Sequence, residues 1–171
     1  MDEIIFGAGE VYLYEFNGTE IPNHVTIETE EHNVGHCSGG FSVEYKPEVY
    51  DVKNQYGNIV RRFLKSEDIT AKTGVLSWDL EKLSLLSAAK FNKDESTKKL
   101  TFGGGKNLKS VLLRFVHTKE NGKKLRFTMI GQAGNGFVIE FADKELVLDA
   151  EIAAIEKKKG FLAEIEEEIG E

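Results

Sequence analysis

A chain of 171 residues with 40% hydrophobic and 30% charged side chains fits one domain with an ordinary core and excludes a disordered polymer. No apolar run reaches the roughly 18 residues of a membrane span, and a single cysteine, Cys37, excludes an internal disulfide and a cysteine-rich zinc site. The net charge of −7 disfavours nucleic-acid affinity.

The start, Met1-Asp2-Glu3-Ile4-Ile5-Phe6, lacks the basic region and long apolar stretch of a signal peptide, so synthesis in a cytoplasm is expected. Val11-Tyr12-Leu13-Tyr14-Glu15-Phe16 is β-branched and aromatic and runs into the turn signal Asn17-Gly18. Val25-Thr26-Ile27-Glu28-Thr29-Glu30 alternates apolar and polar residues with period two, which predicts a half-buried strand with an acidic face. Gly35 to Gly40 is turn-like, and Phe41-Ser42-Val43-Glu44-Tyr45 alternates again. Residues 47–68 are polar, too long for a tight turn and too aromatic for a plain linker, which predicts a long functional loop. Residues 73–78 read as a strand. Asp79 is the expected N-cap of one helix over residues 80–90. Further strands are predicted over residues 111–117, 125–130, 137–141 and 146–152, with Glu120-Asn121-Gly122 as one of the connecting turns. Eight or nine short strands with one helix predict a mainly β fold, a sandwich or barrel of two packed sheets with a flanking helix.

The charges are segregated along the chain. Residues 1–45 carry nine carboxylates and neither lysine nor arginine, residues 73–130 carry twelve basic and five acidic groups, and residues 161–171 carry five glutamates alone. Surfaces of opposite sign steer and register association. The predicted helix carries leucines on two sides. Leu80, Leu83 and Leu86 share one face and Leu85 points elsewhere, as for a helix held between its own sheet and a neighbour.

Catalytic chemistry is poorly represented. His24, His32, His36 and Cys37 are close in sequence, but the flanking strands and Gly35 argue against the helical spacing that would gather them on a metal. Gly7-Ala8-Gly9 does not open a helix after a strand, and Gly105-Lys106 is followed by Asn107 where a phosphate loop needs serine or threonine. No nucleophile–histidine–carboxylate set stands out. No enzymatic activity and no cofactor are expected.

The stretch Gly7-Ala8-Gly9-Glu10-Val11-Tyr12, the segment from Gly35-His36-Cys37-Ser38-Gly39-Gly40 through Phe41-Ser42-Val43-Glu44-Tyr45-Lys46-Pro47-Glu48, and Thr73-Gly74-Val75-Leu76-Ser77-Trp78-Asp79-Leu80 together resemble the tail tube (major tail) proteins of long-tailed bacteriophages, relatives of the tubes of contractile tails and type VI secretion. The resemblance implies a tail-tube β-barrel domain over residues 1–160, with an N-terminal arm, a long protruding hairpin and the 47–68 loop. An acidic C-terminal tail or arm follows at 161–171. It also implies a structural virion protein that forms hexameric rings stacking into the conduit for DNA ejection, assembled in the bacterial cytoplasm with tape-measure and terminator proteins as partners. On this reading Pro47, Tyr50, Asn54, Tyr56, Arg61, Arg62 and Phe63 make ring-to-ring contacts, with the two arginines pairing to acidic groups of an adjacent subunit. Leu85 makes an intra-ring contact. Ser42 and Glu44, then Glu28 and Glu30, are the candidates for a lumen that repels DNA in transit. Two other readings stand beside it: a carbohydrate-binding β-sandwich using Trp78 and exposed tyrosines, and a small metal-binding β-barrel enzyme using the histidines.

Overall fold

The computed structural model of the chain describes residues 8–36, 40–75, 78–134, 136–143 and 148–169. The expected N-terminal arm at residues 1–7 lies outside them, as do Cys37 and the 76–77 end of the strand predicted at 73–78. Among the described residues the elements in chain order are β1 (Glu10–Glu15), α1 (His24–Ile27), β2 (Asn33–His36), β3 (Phe41–Lys53), β4 (Ile59–Val75), α2 (Leu80–Leu85), β5 (Lys90–Lys93), β6 (Lys98–Thr101), β7 (Val111–Thr118), β8 (Lys124–Gln132), β9 (Phe137–Ile139), β10 (Leu148–Ala154) and β11 (Ala163–Glu167).

The strands are antiparallel. One hydrogen-bonded path runs β2-β1-β7-β8-β10-β4-β3, with β11 on β8 and β9 on β10, and β5–β6 forms a small second sheet. The long path folds back on itself. β3 and β7 are separated along it by three strands, yet the rings of Phe41 and Phe115 stack with centroids 4.5 Å apart. The result is a sandwich whose two halves meet at a narrow corner, where β8 and β10 share only the pairs Gln132–Ala153 and Gly131–Ala154. Alternation dictates the core between the halves. Val11 and Leu13, Leu113 and Phe115, Phe127 and Met129, Ala150 and Ile152, and Ala71 point inward, and Leu83 and Leu86 of α2 close one end.

β7 is buried on its other face as well. Tyr12, Phe16, Leu112, Val116 and Ile130 form a second apolar cluster beneath Ile27, with Ile155 and Phe161 packed against it. The segments 20–30 and 155–168 therefore cover what would otherwise be a solvent face. β7 reads as a near-continuous apolar run for that reason.

At the corner, Gly131 leaves no room for a side chain: a Cβ there would lie 2.5 Å from the Ala153 carbonyl oxygen and 2.8 Å from Ile152 Cγ2. Gly131→Ala is expected to force the two halves apart and destabilise the fold by about 1–3 kcal/mol. Urea denaturation checks this; an unchanged midpoint would mean that the corner yields freely.

The structure departs from the sequence reading in several elements. Residues 25–30 are not a strand. The Asn23 side chain accepts a hydrogen bond from the Thr26 backbone N–H at 3.0 Å and caps the one-turn helix α1, leaving Val25 in solvent and only Ile27 buried. The helix after Asp79 has the expected N-cap, with Asp79 Oδ1 accepting from Glu81 N. It ends at Leu85 rather than 90, because Ser87 bonds the Leu83 carbonyl and accepts from Ala89 N, and Lys90 already begins β5. The predicted 47–68 loop is two strand arms joined by a turn over residues 54–58. The acidic stretch expected as a tail contains β11, paired with β8 from Glu167–Leu125 to Ala163–Met129.

Candidate functional site

The β3–β4 hairpin is the most unusual surface of the molecule. β10 supports β4 only from Thr70 to Val75, so among the described residues the pairs from Tyr45–Ile69 outward to Lys53–Ile59 have no third strand. That two-stranded arm is about 30 Å long at ~3.3 Å per residue. Its tip is built by Asn54, whose Oδ1 accepts from Tyr56 N and Asn58 N at 3.0 Å each, while Gly57 takes φ +79°.

The arm is apolar on both faces. Up to the bulge after Glu48, residues 43, 45, 47 and 49 share the core-side face, and Val43, Tyr45, Val49 and Leu64 there are exposed. The opposite face carries the cross-strand pair Tyr50–Phe63, both exposed, and Tyr56, 79% exposed, stands at the tip beside Ile59 and Val60. An isolated two-stranded hairpin is marginal in water, and exposed apolar ladders of this kind mark surfaces that meet another molecule.

The polar side chains of the arm are engaged with one another. Glu48 accepts from Lys65 Nζ at 3.0 Å and Ser66 Oγ at 3.3 Å, and Tyr45 donates to Glu67 at 2.8 Å. Arg62 Nε lies 3.0 Å from Asp51 Oδ1, an ion pair without an aligned hydrogen bond, and the Arg61 guanidinium sits 4.4 Å from the Phe63 ring centroid. Both arginines thus have partners in their own chain. Pro47, opposite Glu67, is exposed on β3.

The base of the hairpin presents a polar wall away from the core. Ser42, Glu44, Lys46 and Glu48 on β3 lie opposite Lys72, Thr70, Asp68 and Ser66 on β4, and Lys72 in turn lies beside Glu151 of β10. With Asp149 two residues before Glu151, the wall holds five carboxylates against the lysines 46 and 72 and Lys65, which reaches Glu48. Hydrogen bonding and charge from Lys46, 2.9 Å away, lower the Glu44 pKa, so this exposed carboxylate stays ionised. Lys72 pairs with Glu151 at 3.3 Å.

Glu28 and Glu30 are not on that wall. Glu28, the C-cap of α1, turns into the outer face of β7–β8 and gathers three cations. Its Oε1 accepts from Arg126 Nε at 2.6 Å and Arg114 at 3.3 Å, and its Oε2 accepts from Lys124 Nζ at 2.9 Å. Arg114 is 2% exposed and Arg126 4%. Arg114 also donates to Thr128 Oγ1 at 3.0 Å and to His24 Nδ1 at 2.7 Å, which leaves the His24 proton on Nε2, 3.2 Å from Glu166 Oε1. β11 completes the charge balance: Arg126 reaches Glu168 at 2.6 Å and Glu166 at 3.3 Å. Burial raises the Glu28 pKa, but hydrogen bonds and charge from Arg126 and Lys124 outweigh it and the carboxyl lies below its ordinary range. The side-chain hydrogen bond from Arg126 lowers Glu168 in the same direction.

This cluster was missed in the sequence, though a signal was present. Arg114 interrupts Val111-Leu112-Leu113-Arg114-Phe115-Val116, and Arg126 sits in an equally apolar run. A buried arginine inside an apolar strand requires an anion.

Leu85 is half-buried and packs on the main core from α2, so the second apolar side of the helix is partly covered by its own chain. Beside it runs a cleft lined by Glu15, Glu30, Glu31, Glu81, Lys82 and Lys109. Trp78 is exposed, its ring 6.2 Å from that of Phe141. His32 bonds Thr29 Oγ1 at 2.9 Å and packs edge-on against Tyr14, apart from His24 in the ion cluster. Among the described residues no group of three metal-ligating side chains converges, and no helix is long and apolar enough to cross a membrane. No protein-family model matches the chain, and no curated protein matches it.

Proposed function

We propose that the chain is a structural subunit that assembles with copies of itself into hexameric rings stacked as a tube, the role of a bacteriophage tail tube protein and of a conduit for DNA. One observation carries the reading: a two-stranded arm about 30 Å long that shows apolar side chains on both faces and, among the described residues, pairs with no third strand. An enzyme or a monomeric binding module has no use for such an arm. A subunit that must reach a neighbour does, and closed heterologous contacts give rings while axial contacts give tubes.

The polar wall of Ser42 and Glu44 is the proposed lumen surface, its excess of carboxylates repelling the phosphates of DNA in transit. Tyr50, Tyr56 and Phe63 are the proposed anchors between rings, because buried aromatics dominate association energies. Tape-measure and terminator proteins are the proposed partners inside and at the end of the tube, and the virion tail its location.

Light scattering after size exclusion, followed by negative-stain microscopy of the concentrated protein, tests the assembly. Six-fold rings or tubes are the expected result. A monomer at every concentration, with no ring in any micrograph, overturns the reading.

A further inference from the structure

The strand β11 is held to the sandwich in a different way from every other strand of the large sheet. Its apolar contribution is small. Ala163 packs on the main core, but Ile165 is 73% exposed and Ile169 90%. What holds it is backbone pairing with β8 and a set of ion pairs: Arg126 with Glu166 and Glu168, and Lys119 with Glu167. Glu168 also exchanges backbone contacts with Lys124, its Oε2 accepting from Lys124 N and its own N–H donating to Lys124 O, both at 3.0 Å.

Those glutamates are half-exposed, with side-chain accessibilities of 43% for Glu166, 50% for Glu167 and 40% for Glu168. Charges at that exposure are screened once the Debye length falls from ~10 Å at 0.1 M salt to ~3 Å at 1 M. Arg126, the partner of Glu166 and Glu168, is buried, as is Lys119, the partner of Glu167, and leaving a buried cation unpaired would be costly. Arg126 does not depend on β11, because Glu28 holds it from below at 2.6 Å and is itself only 10% exposed. The departure of β11 therefore leaves the buried Arg126 paired, and of the buried cations it takes a β11 carboxylate without a Glu28 replacement only from Lys119, which loses Glu167. Phe161 anchors the preceding segment in the second apolar cluster, which sets the point beyond which the chain can lift away.

We propose that the edge of β8, with Arg126 and Lys124 along it and Lys119 in the turn that precedes it, is a binding site for an extended acidic segment bearing carboxylates two residues apart, and that residues 163–168 of the chain occupy it as a detachable strand while the sandwich stays folded. Main-chain pairing to a sheet edge supplies the affinity, and the spacing of Glu166 and Glu168 on one face of the strand, both on Arg126, supplies the selection.

Hydrogen exchange on the full chain tests this. Amides of residues 163–168 are expected to exchange at least tenfold faster in 1 M than in 0.05 M sodium chloride, relative to amides of residues 112–115 in β7, which stay protected. The full-length double variant Glu166→Gln/Glu168→Gln is expected to show the fast rate at both salt concentrations. A fluorescent synthetic peptide of residues 161–169 should bind that variant at least tenfold more tightly than it binds the natural chain. Exchange of β11 that follows β7 at both salt concentrations overturns the proposal, as does a peptide that binds both chains alike.

Discussion

Glu28→Ala is expected to be the most damaging single substitution outside the apolar core, costing about 3–5 kcal/mol of fold stability. The reason is the asymmetry of a buried ion cluster. Arg114 and Arg126 are nearly inaccessible, and Glu28 is the carboxylate that reaches both. Its removal leaves Glu166 and Glu168 paired to Arg126, and Arg114 with its hydrogen bonds to Thr128 and His24 and the more distant charge of Glu166. Urea denaturation of the variant checks the magnitude; a loss below about 1 kcal/mol would mean that water enters and solvates both guanidinium groups.

The same cluster fixes the sign of the response to acid. Because the Glu28 and Glu168 carboxyls lie below the ordinary value of 4.5 in the folded chain, their contribution is complete above that value. It is lost as pH falls below 4.5 toward the folded values. The natural chain should therefore lose stability steeply over that acidic range, and Glu28→Ala should flatten the slope.

Replacing residues 48–66 by Asn-Gly is expected to abolish assembly and leave the subunit intact. Pro47 and Glu67 face each other across the hairpin, so a two-residue turn joins them in register. Among the described residues the removed strands pair only with each other, and fold stability should change by less than about 1 kcal/mol. Assembly should fail because Tyr50, Tyr56, Phe63 and Leu64 leave together. Light scattering reads the assembly and thermal melting reads the fold. Tubes built from the shortened chain would remove the arm from the assembly mechanism; a molten shortened chain would mean that the arm belongs to the core.

The sandwich is legible because its strands are rich in apolar residues set in core-facing alternation and bounded by turn signals. β1, β7, β8 and β10 each place alternate residues in the core, and the turn at Glu120-Asn121-Gly122, with Gly122 at φ +81°, was readable from residue type alone. The arm was read as a loop for the opposite reason. Both of its faces are equally exposed, so the in–out contrast that reveals a strand is missing from residues 47–68. Residues 25–30 failed differently: period-two alternation was present, but Asn23 offered a local hydrogen bond that closed a helical turn instead. Helix α2 was cut short by serines that compete for its own carbonyls. For β11 the obstacle was distance. Five glutamates in eleven residues read as a solvated tail until the cations of β8, some forty positions earlier, are seen opposite them. Of the candidate site, the sequence points to Tyr50, Tyr56, Phe63 and the two arginines of the arm and to Ser42 and Glu44 of the wall, but not to the facing Lys72, Asp149 and Glu151. Nor does it point to the ion cluster, because Glu28 meets Arg126 only across 98 positions.

That separation bears on how the subunit comes into being. The β7–β8 hairpin closes through a short turn and is made of near neighbours, so it is a natural first structure. Yet β8 then requires three partners drawn from distant parts of the chain: β10 and β11 beyond it, and the Glu28 segment long before it. Each closure surrenders chain entropy before its contacts reward it, which places this sandwich among slowly folding topologies. While it waits, the hairpin holds two guanidinium groups and the Lys124 ammonium on a face that also carries Leu112, Val116 and Ile130. An intermediate lacking Glu28 carries an uncompensated positive patch in the middle of its would-be interface, and like-charged patches repel. That repulsion opposes contact between half-folded chains through that face until Glu28, Glu166 and Glu168 arrive to balance the three cations.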